Sequence, residues 1–126
     1  MNANLIHKEL AFQIVGAAME VLNHHGHGLH EKIYENSLIV EFGLRGLKAD
    51  QQKRYQVLYK QIPVGLYIPD LLVNDLVIVD TKVVEAITDA EIGQVMNYLR
   101  LTKLQLGIIL HFRYPKLQSR RVVLTQ

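Results

Sequence analysis

The stretch from Tyr67 to Lys82 constrains this chain most, because it sets charged side chains among hydrocarbon where a buried sheet would prefer none. Leu71, Leu72 and Val73, then Leu76, Val77, Ile78 and Val79, are aliphatic runs broken only by the turn-forming pair Asn74-Asp75. Such runs are strands covered on both faces. Asp70 precedes the first run, while Asp80 and Lys82 end the second, and charges in such places are costly unless paired or metal-bound.

Asp80 and Lys82 stand two apart on a strand, so their side chains leave the same face. Whether Asp70 joins them depends on the turn. A two-residue loop at Asn74-Asp75 would set Asp70 opposite Val79, and parity would fail. A three-residue loop, Asn74-Asp75-Leu76, or a single bulge sets Asp70 opposite Asp80. A joint site therefore requires the odd loop, a bulge or a bend at Pro69.

Two carboxylates about 4 Å apart repel by roughly 4 kcal/mol at an effective dielectric near 20, so such a pair holds a proton or recruits a cation. Oxygen ligands in a chain without cysteine favour Mg²⁺ or Mn²⁺. A lysine beside them can orient or deprotonate water or neutralise a developing oxyanion, which suits phosphodiester hydrolysis. An Asp–Lys ion pair at a sheet end would account for the same spacing without chemistry.

Around this stretch the chain alternates helical and strand patterns. Leu5 to Leu22 repeats apolar residues at helical spacing, with Gly26 and Gly28 interrupting the loop Asn23 to His30. A second helix is expected from His30 to about Arg45 and a strand with one wet face from Lys48 to Lys60, followed by a turn at Gln61 to Gly65. After the charged stretch, Ala86 to Lys103 is helical in period, Leu106 to Phe112 is a buried strand, and Val122 to Leu124 an edge strand. The expected fold is α/β, a mixed central sheet flanked by helices. At 126 residues the chain is expected to form a single domain, 1–126.

Composition narrows the function classes. With 49% hydrophobic and 21% charged residues the chain is globular rather than disordered, and a net charge of +2 permits nucleic acid without demanding it. The absence of cysteine excludes disulfides and thiolate metal sites. Lys8, Glu9 and Glu20 interrupt the first twenty residues, which fit neither a signal peptide nor a membrane span, so the expected location is cytoplasmic.

Two further groups bear on the site. Glu31 falls in the first turn of the second helix, three residues before Tyr34; it offers a third carboxylate, though the helix dipole alone would favour an acid there. Gln94 and Tyr98 lie one turn apart on the helix after the charged strand and could overlook the same site.

Taken together, these residues resemble the GxxExxY family, a branch of the PD-(D/E)XK nuclease superfamily, from about Leu5 to Phe112. Gly28, Glu31 and Tyr34 match the motif that names the family, Pro69-Asp70 the PD element, Asp80-Thr81-Lys82 the (D/E)XK element, and Gln94 and Tyr98 a downstream Q-x-x-x-Y. The resemblance implies a restriction-endonuclease-like αβββαβ core. It implies Glu31, Asp70 and Asp80 as ligands of Mg²⁺ or Mn²⁺, Lys82 as the catalytic lysine, and Gln94 and Tyr98 as supporting or substrate-contacting residues. The implied activity is nuclease-like hydrolysis of nucleic acid, with DNA ahead of RNA. The chain departs from the family's usual E-L-K at Asp80-Thr81-Lys82, and carries His111-Phe112-Arg113 where N-F-G is common.

Other readings compete. A nuclease fold without activity would serve as a module binding nucleic acid or a protein partner, and a homodimer could form through an apolar hairpin or exposed edge strand. His24, His25, His27 and His30 invite zinc, but a structural or phosphate-facing loop fits them as well. Arg113, Lys116, Arg120 and Arg121 could meet phosphates or protect an edge strand, and Tyr55, Tyr59 and Tyr67 are sheet aromatics before they are stacking platforms.

Overall fold

The computed structural model describes residues 6–124. In chain order the elements are α1 (Lys8–His25), α2 (Glu31–Leu44), β1 (Ala49–Asp50), β2 (Tyr55–Tyr59), β3 (Ile62–Tyr67), β4 (Leu71–Val73), β5 (Val77–Lys82), α3 (Asp89–Thr102), β6 (Leu106–His111) and β7 (Gln118–Val123). Five strands form one mixed sheet in the order β1-β4-β5-β6-β7, and β2 and β3 form a separate two-stranded ribbon. Only β5 and β6 run parallel, joined by the α3 crossover, and β5 lies at the centre of the sheet. This is the expected α/β architecture, with αβββαβ order once β1, β4 and β5 are counted as its three strands.

Side-chain alternation along β5 explains the layers. Val77 and Val79 point to the face covered by α1 and α2, with Leu71, Val73, Leu106, Ile108 and Leu110. Ile78 points to the opposite face, where Leu72, Ile109, Val95 and Leu99 pack beneath α3. Each such side chain taken from water contributes about 1.5–3 kcal/mol before the cost of ordering it. Asp80 and Lys82 share the parity of Ile78 and therefore belong to the α3 side.

Helix α3 can approach the sheet because Gly107 on β6 has no side chain. A Cβ there would lie 2.6 Å from Val95 Cγ1 and 3.8 Å from Leu99 Cδ2, both in the packed layer. Gly107→Ala is expected to destabilise the fold by about 1–3 kcal/mol through overpacking. Urea unfolding measures this, and a variant as stable as the parent would refute the contact.

Several expectations are corrected. The helical start at Leu5 lies outside the described residues, and α1 ends at His25 rather than Leu22. The strand expected over Lys48 to Lys60 is two elements: β1 pairs with β4, whereas β2 turns away to pair with β3. The turn lies at Lys60-Gln61, with φ of 48° and 70°, and Ile62 to Gly65 is strand. Left-handed hairpin turns normally announce themselves with Asn or Gly, so Gly65 drew the expected turn to the wrong place. Helix α3 begins at Asp89 rather than Ala86 because Thr88 and Glu91 form a capping box. The edge strand Val122 to Leu124 extends back to Gln118 and ends at Val123. Among the described residues, no helix is long and apolar enough to cross a membrane.

Candidate functional site

The hairpin β4–β5 meets the parity condition. Leu71, Leu72 and Val73 pair with Val79, Ile78 and Val77, leaving the three-residue loop Asn74-Asp75-Leu76. Asn74 and Asp75 adopt left-handed angles of 52° and 58°, and the Leu76 N–H donates to Val73 O at 2.9 Å. Extended by one residue, this register faces Asp70 towards Asp80.

The ladder stops there, because the chain bends at Asp70 after Pro69. Thr81 would lose a backbone partner on that side, and the Asp70 side chain supplies one. Asp70 Oδ2 accepts the Thr81 N–H at 3.0 Å and the Thr81 hydroxyl at 3.1 Å. The middle residue of the D-x-K element thus fixes the carboxylate of the PD element. The D-x-K spacing alone did not single out Thr81, and only the bend shows its part.

Glu31 reaches the site through a separate construction. Gly28, at φ +79°, donates its N–H to Phe112 O at 3.0 Å, which ties the loop before α2 to the end of β6. Tyr34 is fully buried, stacks on Phe112 at 4.3 Å between ring centroids, donates to Gly26 O at 2.7 Å and accepts the Leu29 N–H at 3.0 Å. Gly28 and Tyr34 thereby clamp the loop that starts α2, and Glu31 is the first residue of that helix. Of the G-x-x-E-x-x-Y triplet, only Glu31 lines the cavity described next.

Glu31, Asp70, Asp80, Lys82, Gln94 and Tyr98 all line one small cavity of about 170 Å³, completed by Tyr67 and Ile68. Tyr67 stacks on Tyr98 at 4.0 Å and faces Tyr55 at 6.3 Å, so an aromatic column supports the α3 wall. Larger apolar hollows exist elsewhere, but none gathers this chemistry.

Asp80 is 9% exposed, and its Oδ2 accepts no hydrogen bond. Lys82 Nζ stands 3.5 Å away, an ion-pair distance too long for a good charge-assisted hydrogen bond. Burial, followed by the Asp70 charge, pushes the Asp80 carboxyl up to about 7 against the pull of Lys82. Burial and the nearby Asp70 and Glu35 carboxylates raise Glu31, with Lys82 opposing. Burial alone would lower Lys82, but Asp80, Glu31 and Asp70 outweigh it and keep the ammonium charged. Burial raises Tyr67 and Tyr98, and nearby carboxylates add to the rise, so both phenols stay protonated and can donate.

The donor set is all oxygen, which suits a hard divalent cation, and Asp80 Oδ2 is a buried acceptor without a hydrogen bond, facing only the 3.5 Å ion pair with Lys82. Among the described residues, no three His, Cys, Asp or Glu side chains stand gathered as an ion would hold them. Asp70 Oδ2 is engaged by Thr81, and Asp80 Oδ2 stands beside the Lys82 ammonium.

Two of the four histidines have structural partners. His25 Nε2 is 2.7 Å from Ser37 Oγ, and His27 Nδ1 is 3.1 Å from Arg113 O. In the basic cluster, Arg113 reaches Val83 O at 3.5 Å and Arg121 bonds Ile6 O at 2.9 Å.

Compared with known proteins, the chain is significantly similar to no curated protein and to no solved structure. A family profile does match, over residues 8–122, nearly the whole of the described fold. With its mixed sheet, its crossover helix and its acidic cavity at the end of β5, the chain belongs to the PD-(D/E)XK nuclease superfamily.

Proposed function

We propose that this chain is a single-domain, metal-dependent nuclease of the GxxExxY branch that hydrolyses phosphodiester bonds in nucleic acid, DNA ahead of RNA. The observation that carries this reading is the buried Asp80 Oδ2, left without a hydrogen-bond donor in a cavity shared with Asp70, Glu31 and Lys82. An orphaned buried carboxylate oxygen costs stability, and a site that binds cations or phosphate gives it a purpose. We place its action in the cytoplasm, where nucleic acid is at hand.

In this reading Glu31, Asp70 and Asp80 hold Mg²⁺ or Mn²⁺. The bound ion would supply Lewis-acid polarisation of the phosphate and a more acidic water. Thr81 keeps Asp70 oriented by its two hydrogen bonds. Lys82, held charged by its carboxylate neighbours, donates to a phosphate oxygen or to the attacking water and offsets negative charge in the transition state. Gln94 and the protonated Tyr98 offer donors from α3 to the scissile phosphate. Asp80 must be ionised to bind a cation, so metal affinity rises as pH passes through about 7.

The test is incubation with single- and double-stranded DNA and RNA, with Mg²⁺, Mn²⁺ or chelator, beside Asp70→Ala and Lys82→Ala. Metal-dependent cleavage is expected in the parent, with each variant slower by at least about 10²-fold. One observation favours the rival module without activity: no three carboxyl side chains converge among the described residues. Oligonucleotide binding without cleavage in any metal, unchanged by both variants, would establish that rival.

A further inference from the structure

Beyond Val79, β5 has a strand partner on one side only, because its pairing with β4 ends at Val79 while its pairing with β6 runs on to Lys82 and His111. Lys82 therefore sits where sheet gives way to loop, and the carbonyls that follow need donors from elsewhere. The corner from His111 to Tyr114 supplies one to each carbonyl from Lys82 to Glu85. The Phe112 N–H donates to Lys82 O at 2.9 Å and the Arg113 guanidinium to Val83 O at 3.5 Å. His111 Nε2 donates to Val84 O, and the Tyr114 hydroxyl donates to Glu85 O.

His111 is the unexpected member of this set. The rest of β6 is Leu106, Gly107, Ile108, Ile109 and Leu110, and the whole strand is buried. By parity His111 shares the α3 face with Ile109, and hence with Asp80 and Lys82, one strand away from the lysine. An imidazole buried among aliphatic residues is costly unless its nitrogens are satisfied. Val84 O can only accept, so Nε2 carries a hydrogen, while Nδ1 lies 3.1 Å from the Gln118 side chain. Tyr114 packs edge-on against the ring at 5.6 Å. A ring fixed in this way holds Val84 O in place two residues beyond Lys82.

We infer that His111 is a positioning residue for Lys82, with Tyr114 as its support. The lysine's role in this inference rests on the nuclease reading. A lysine side chain is long and rich in rotamers, so its aim depends on the backbone from which it springs. The bonds to Val84 O and Glu85 O pin that backbone, and with it the 3.5 Å approach of Nζ to Asp80. The same segment leads into α3, which brings Gln94 and Tyr98 to the cavity.

The experiment compares His111→Leu, which keeps bulk without a donor, with His111→Gln, which keeps an N–H near the place of Nε2. The first readout is the NMR signal of the Lys82 ε-methylene in metal-free protein, identified as the one missing from Lys82→Ala. In the parent it is expected apart from the signals of exposed lysines, to move onto them in His111→Leu, and to return in His111→Gln. The second readout is cleavage with Mg²⁺ or Mn²⁺: His111→Leu is expected to lower kcat at least about 10-fold with KM within about 2-fold, and His111→Gln to restore most of the loss. A purely structural role would lower stability and leave the Lys82 signal unmoved. Should His111→Leu fail to fold, Tyr114→Phe decides, since Tyr114 is 38% exposed and only its hydroxyl is removed. A parent signal already among the exposed lysines overturns the inference, and so does one that stays in place in the folded variant. A parent that cleaves nothing in any metal sinks the nuclease reading alone, because the NMR signal still decides whether His111 places the lysine.

Discussion

Asp80→Asn is expected to make the metal-free protein more stable near pH 8, raising its Tm by on the order of 10 °C, while removing cation binding. The cause is the buried carboxyl, whose pKa rises from 3.8 unfolded to about 7 folded. Between those values the folded state holds a proton that the unfolded chain has released, so stability falls as pH rises across the window and levels off above about 7. Below about pH 4 both states are protonated and the penalty vanishes. A displacement of that size corresponds to at most about 4 kcal/mol, and relaxation around Lys82 reduces it. Asparagine keeps the shape and never ionises, so the variant escapes the penalty and its pH dependence flattens. Thermal melts in chelator from pH 4 to pH 9 measure both effects. In the parent, added Mg²⁺ or Mn²⁺ should restore stability above pH 7, and in the variant it should not. A variant less stable than the parent at pH 8 would show that Asp80 is satisfied in the folded protein after all.

Tyr34→Ala should be among the most damaging single changes, costing about 3–5 kcal/mol. It removes a fully buried ring stacked on Phe112 and leaves Gly26 O and the Leu29 N–H without their hydroxyl partner. Tyr34→Phe separates these contributions: the ring stays, and the unpaired backbone groups cost about 1–3 kcal/mol. The hydroxyl clamps the loop ahead of Glu31, so Tyr34→Phe should also loosen Glu31 and weaken cation binding more than its stability loss accounts for. Denaturant unfolding and Mn²⁺ titration of the folded variant test the two claims separately. Equal stability of Tyr34→Phe and the parent would remove the clamp from the account.

The helical positions were legible because Gln94 and Tyr98 are one turn apart and periodicity fixes which residues share a helix face. The motif Gly28, Glu31, Tyr34 was legible as a motif but not as a division of labour. Only the stack of Tyr34 on Phe112, far away in sequence, shows two members as braces for the third. The ribbon was misread for a related reason. Lys60 and Gln61 adopt left-handed angles that neither residue advertises, so the turn left no local trace.

By itself the sequence determined the local terms: the aliphatic runs that must be covered on both faces, the shared face of Asp80 and Lys82, the all-oxygen donor set and the α/β order. Strand parity could state the condition under which Asp70 joins that face, but it could not choose between a loop of two residues and one of three. Tertiary structure made that choice, because Asn74 and Asp75 hold left-handed angles while the Asn74 side chain accepts the Lys48 N–H at 2.9 Å and Lys48 Nζ reaches Asp75 at 2.7 Å. It also decided which carboxyl is buried deeply enough to hold its proton near neutrality, since burial is a property of the packed layers and not of any single segment.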